Sequence, residues 1–178
     1  MKRTITLLAL ALSLSMAVAC SDTKNSDGKT TAAISDPQSA KNDILTVADK
    51  FHAAFKSKKI VEISPLINEK GFFMGTDPEE VFNKQGFENY LTQKLTNPAI
   101  GTITYEIERR EMLFEESGDG VVLIDQFTPD VFTQHIQWRM VTHLVKKDNA
   151  WKFNFISFSL VPKNNVIPAV NMAAYQGE

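Results

Sequence analysis

The feature that most constrains the fold is a change of apolar period near Gly101. Before it, Ile44, Val47, Ala48, Phe51, Ala54 and Phe55 recur at steps of three and four. That spacing puts them on one stripe of a helix, with Asp36-Pro37 suited to cap its start. After Gly101, Ile103, Tyr105 and Ile107 alternate with Thr104, Glu106 and Glu108, the pattern of a half-buried strand that continues to Phe114. Val121 to Thr128 reads as the next strand. Ile136, Trp138, Met140, Thr142 and Leu144 share one face of a third, and Trp151 to Val161 forms the last. Ser117-Gly-Asp-Gly120 and Lys146-Lys-Asp-Asn149 supply the turns. Helices first and antiparallel strands last predict an α+β fold, with the helices packed on one side of a curved antiparallel sheet.

The segment between the two regimes is less regular. Ile60 to Ile67 is apolar, but Pro65 limits it to a brief helix or turn. Phe72-Phe73-Met74 is a short strand candidate. Phe87, Tyr90, Leu91 and Leu95 mark a second helix, ended by Asn97-Pro98. In the last strand, simple alternation places Trp151, Phe153 and Phe155 on one face and Ile156, Phe158 and Leu160 on the other. A strand apolar on both faces needs two covers, so a homodimer through the sheet is expected.

The N-terminus sets the expected address. Lys2 and Arg3 precede an uncharged run from Ile5 to Ala19. This is shorter than the roughly 20 residues of a membrane-spanning helix and fits a secretory signal peptide over residues 1–19. Ala17-Val-Ala-Cys20 resembles the bacterial lipobox, which implies that Cys20 becomes the lipidated first residue of the mature protein. Cys20 is the one cysteine, so an intrachain disulfide is excluded. Residues 20–40 are polar and read as a flexible tether. A domain over 41–165 and a tail over 166–178 follow. Loss of residues 1–19 leaves 17 basic and 21 acidic side chains, a formal charge of −4. With no basic stripe, no nucleic-acid partner is expected. Ser21, rather than Asp, follows the Cys; by analogy with sorting in enteric bacteria the lipid points to the outer membrane, facing the periplasm.

The stretch GFFMGTDPEEVF, residues 71–82, places Asp77, Glu79 and Glu80 within four residues. One reading is a helix start, with Asp77 as N-cap, Pro78 at N1 and Glu80 at N3 reaching back. The other is a functional carboxylate. A calcium loop is excluded, because Val81 and Phe82 interrupt the alternate oxygens such a loop requires. Asp125 interrupts an apolar strand. It either lines a pocket, with a raised pKa and the role of a general base, or points to solvent near a strand end. His52, His135 and His143 show no metal-ligand spacing. Asp49 and His52 lie three apart on the first helix, but two ligands do not make a metal site, and no metal or cofactor is expected. Arg139 reads as a solvated strand residue or a partner for Asp125. There is no GxSxG, P-loop or dinucleotide turn.

Gly75-Thr-Asp-Pro78, then Gly86 and a helix, resembles the SnoaL-like branch of the nuclear transport factor 2-like superfamily. So does the run from Thr142 to Trp151, followed by alternation to Ser159 and then Pro162. The resemblance covers about residues 42–162. It implies a cone of helices against a strongly curved sheet, usually dimeric, with a pocket inside. In that cone Phe51, Phe55, Phe73, Tyr105, Asp125 and Trp138 are the expected pocket residues. Members include cyclases, isomerases, dehydratases, kinase-assembly domains and ligand-binding modules. Many carry His two and four residues before the final Ser; this sequence has Phe155 and Ser157 there. The expectation is therefore a lipid-anchored module that binds a small, partly apolar ligand or a protein partner in the cell envelope. The alternative is a cyclase- or isomerase-type enzyme using Asp125 or Asp77 as base.

Overall fold

The structure, a computed structural model, describes residues 37–175. Asp36, Cys20, the signal segment and most of the tether lie outside the described residues.

The element order begins with helix α1 (Pro37–Lys56), a short helix α2 (Ile60–Ile63) and a 3-10 turn (Ser64–Leu66). Strands β1 (Ile67–Met74) and β2 (Val81–Phe82) form a hairpin, and helix α3 (Lys84–Leu95) follows. Strands β3 (Arg109–Phe114), β4 (Gly120–Phe127), β5 (Gln137–Lys147) and β6 (Ala150–Val161) complete one six-stranded sheet, ordered β2-β1-β6-β5-β4-β3. The last described element is helix α4 (Ile167–Tyr175). The α+β fold expected from the period change is present. The sheet is mixed rather than antiparallel throughout, because β1 runs parallel to β6.

The α1 stripe is buried as its spacing requires. Ile44, Ala48, Phe51, Ala54 and Phe55 join the core, and His52 is buried with them. From α3 the core takes Phe87, Leu91 and Leu95. The sheet contributes Val121, Leu123, Phe127, Met140, Leu144, Trp151, Phe153, Ile156 and Phe158. The β5–β6 turn has positive φ at both Asp148 and Asn149, the requirement of a two-residue hairpin whose twist matches its strands.

Three further sequence expectations are corrected. Segment 103–107 keeps its alternation, with Ile103 and Tyr105 buried, yet regular pairing begins only at Arg109. The Tyr105 carbonyl accepts from Lys56 Nζ (3.3 Å) instead of from a neighbouring strand. Asp77 is not a helix cap: α3 starts seven residues later, capped by Asn83, whose Oδ1 accepts from Gly86 N (2.9 Å). Asp77-Pro-Glu-Glu80 is instead the tight connection between β1 and β2. The parity of β6 is also broken. His143 aligns with Phe155 but Leu144 with Phe153, so Asn154 is bulged out of register and reverses the alternation after it. Trp151, Phe153, Ile156 and Phe158 therefore all face the core, while Phe155 moves to the outer face and stacks on Phe72. Asn68 Nδ2 donates to the bulged Asn154 Oδ1 (2.8 Å), tying the bulge to an irregular stretch of β1. Within the tail, Ile167–Tyr175 is helical.

Candidate ligand cavity and a buried ionic network

Two polar constellations sit on opposite sides of an aromatic layer. The first is centred on Asp125, fully buried at 0% exposure on the inner face of β4. Its Oδ1 accepts from Arg110 Nε (2.6 Å), and Oδ2 accepts from Arg110 Nη2 (2.9 Å). The fork is supplied by the adjacent strand, where Arg110 aligns with Asp125. His52 of α1 brings Nε2 to Oδ2 at 2.9 Å. A carboxylate only accepts, so Nε2 carries a proton. His52 Nδ1 meets the Tyr105 hydroxyl at 2.9 Å. Arg110 Nη1 reaches outward to Asp49 Oδ1 (2.7 Å). A closed network thus runs from the surface to the core.

The electrostatics follow from this geometry. Burial is the largest single influence on Asp125 and pushes its pKa up. The hydrogen bonds and charges of His52 and Arg110 together outweigh it and hold the carboxyl below its ordinary value. This is opposite to the raised pKa that a general base at this position requires. The Tyr105 hydroxyl is pushed well above its usual range, by burial first and by the Asp125 charge second. Every oxygen of Asp125 is engaged, and neither Asp125 nor His52 lines the cavity of about 260 Å³ on the other side of the aromatic layer. The arrangement is chemically a locked ion pair.

The second constellation surrounds a cavity of about 260 Å³. Its walls come from α3 (Tyr90, Leu91, Lys94, Leu95), the ends of β5 and β6 (Trp138, Phe158, Leu160), the loop residues Phe132 and Thr133, Phe55 of α1, and Gly75, Thr76 and Glu80 of the β1–β2 connection. Phe55 is the partition. It stacks on Phe158 on the cavity side and leans on Tyr105 of the ionic network, with ring centroids 6.4 Å apart in each pair. Trp138 packs on Phe132 (5.4 Å) and donates from Nε1 to Thr133 Oγ1 (2.9 Å), which fixes its indole in the wall.

Glu80 supplies the cavity's carboxylate. Its Oε2 accepts from Thr76 N (2.9 Å), Asp77 N (3.2 Å) and the Tyr90 hydroxyl (3.2 Å). Its Oε1 has Lys94 Nζ at 3.5 Å, and that ammonium also lies 5.5 Å from the Tyr90 ring centre. Burial, followed by the charge and hydrogen bond of Glu80, pushes the Tyr90 hydroxyl far up, so it stays protonated and donates. Gly75 is required here: a Cβ would stand 2.0 Å from Glu80 Oε2.

Of the expected pocket residues, Phe55 and Trp138 line the cavity. Phe51, Phe73, Tyr105 and Asp125 are buried in the core instead. Asp77 is exposed, and its Oδ1 accepts from Glu79 N (3.0 Å) within its own turn. Arg139 aligns with Gln126 on the outer face, away from Asp125. Sequence reading missed Arg110, the Tyr105 hydroxyl and the Glu80–Tyr90–Lys94 set. His52 had a usable signal: it lies four residues after Ala48, inside the apolar stripe, and a His on a buried stripe needs a partner. Among the described residues no group of His, Cys, Asp and Glu is arranged to hold a metal ion.

Several solved structures share the fold. A domain of unknown function with a cystatin-like fold from Nostoc punctiforme aligns with a TM-score of 0.62 at 7% identity, over 76% of this chain and 86% of that one. An NTF2-like protein of unknown function from Pseudomonas putida aligns at 0.61 and 11% identity, over 72% and 92%. A candidate ketosteroid isomerase from Parabacteroides distasonis aligns at 0.53 and 16% identity, over 66% and 85%. Among curated proteins none matches in sequence. The profile of the SnoaL-like domain matches residues 44–163, about two thirds of the chain and all four long strands of the sheet, and the chain is therefore a member of the SnoaL-like domain family, with the NTF2-like fold.

Proposed function

We propose that this protein is a lipid-anchored ligand-binding module of the bacterial cell envelope that takes a small, partly apolar molecule into the cavity between α3 and the sheet. One observation carries the reading: a cavity walled mainly by apolar and aromatic side chains with a few convergent polar groups, the usual composition of a small-molecule site. The enzyme alternative lacks comparable support. Asp125 is held as an anion by Arg110 and shielded from the cavity, and Asp77 serves its own turn. The anchor rests on Cys20 and its flanking sequence, and an outer-membrane position rests on Ser21.

A mouth-blocking substitution tests the cavity. Leu160 lines it and is 44% exposed, so Leu160→Trp fills the entrance at little cost to the core. Loss of binding for a ligand found by thermal-shift screening, with an unchanged melting temperature for the free protein, is the expected outcome. Undiminished binding sinks the reading. The anchor has its own test: Cys20→Ser should move the protein from the membrane fraction to the soluble one.

A further inference from the structure

The geometry points to a protonated amine on an apolar body as the class of ligand the cavity takes, with Glu80 as the recognising carboxylate and Lys94 as its built-in, displaceable stand-in. The inference rests on the cavity being a binding site and adds what it selects. Glu80 is oriented before any ligand arrives: two backbone N–H groups and the Tyr90 hydroxyl all converge on Oε2. Oε1 is left to a single cation at 3.5 Å. That cation, the Lys94 ammonium, sits beside a carboxylate and within reach of an aromatic face at 5.5 Å. These are the two surroundings that favour an ammonium group. Lys94 is 54% exposed, so it can swing into water on its flexible stem and vacate the place.

The charge around the site has the same sign. Asp77, Glu79 and Glu80 crowd one turn, and among the described residues Lys94 is the one cation paired with any of them. A carboxylate-headed ligand would enter against three acids to gain one exposed lysine. An amine-headed ligand meets a fixed anion and inherits the Tyr90 ring. Its apolar body then lies among Leu91, Leu95, Phe132, Trp138 and Phe158.

The test titrates the full chain by calorimetry at neutral pH with three probes that share one apolar body: 2-naphthylmethylamine, 2-naphthylmethanol and 2-naphthoate. The expected result is an amine bound about tenfold more tightly than either of the others, the effect of one charge-assisted contact. Glu80→Gln should abolish that preference. Lys94→Met should strengthen amine binding severalfold by removing the internal competitor, and should leave the alcohol nearly unchanged. Equal binding of the three probes, or a tighter acid, overturns the amine inference and leaves the cavity reading standing. Failure of all three to bind overturns both. Glu80 also braces its turn, so the Lys94→Met variant, which disturbs no backbone partner, decides alone if Glu80→Gln does not fold: amine affinity that is unchanged or weaker overturns the assignment.

Discussion

Asp125 shows why a residue's environment outweighs its type. In the sequence it is an acid inside an apolar strand; in the fold it is an anion gripped by a guanidinium fork and an imidazole. Removing one partner of a buried pair leaves an uncompensated charge, so Arg110→Ala should cost about 3–5 kcal/mol, measured as a lower urea midpoint. The pH dependence follows in sign. The folded carboxyl titrates below its unfolded value of about 3.9. Its contribution is therefore complete above that value and is lost as pH falls through the lower, folded one. Urea midpoints of Asp125→Asn should accordingly fall less steeply than wild type below about pH 4. Gly75 gives a second residue-scale prediction. Its missing Cβ leaves the space that Glu80 Oε2 occupies, so Gly75→Ala should displace the carboxylate and weaken amine binding with little change in α-helical content by circular dichroism.

At the scale of elements, the corrections have identifiable physical causes. Asp-Pro-Glu-Glu is a competent helix start by every local rule, yet the chain closes a hairpin there. Glu80 bonds backward to Thr76 and Asp77, and Gly75 N donates to the Glu80 carbonyl (2.9 Å). The helix then begins at Asn83. Asn83→Ala should cost about 1 kcal/mol as a lost cap, and Asp77→Ala should cost less; the reverse order in paired denaturation curves would restore the helix-start reading. The strand bulge has a similar lesson. Alternation was legible in β6, but one bulged residue changed which face Ile156 and Phe158 belong to. Bulges are set by neighbouring strands and leave little trace in a single sequence. The N-terminal helix was legible because its stripe of six apolar residues has only one period that fits.

At the scale of the whole molecule, the bulge removes much of the argument for a second apolar face. What remains is a patch on the outer side of the sheet. Phe72 and Leu113 are exposed, and Val122, Ile124, Val141 and Phe155 are half-buried. We propose this as the contact of a homodimer, for which a contiguous apolar patch is the usual requirement. Ile124→Glu should shift the sedimentation coefficient of the tether-free domain from dimer to monomer without altering its core. A wild-type monomer at tens of micromolar would end the idea.

The sequence by itself determined the helix-then-strand order of the longer elements and the buried faces of the first helix and of β5, because periodicity is a local property of the chain, and its short motifs carried the resemblance to the family. Only the tertiary structure decided which polar residues meet. Asp49, His52, Tyr105, Arg110 and Asp125 come from one helix, one connecting segment and two strands, and Glu80, Tyr90 and Lys94 from a turn and a helix. Their partnerships depend on how those elements pack, and packing moved the cavity's carboxylate from the buried Asp125 to a glutamate at the end of a turn.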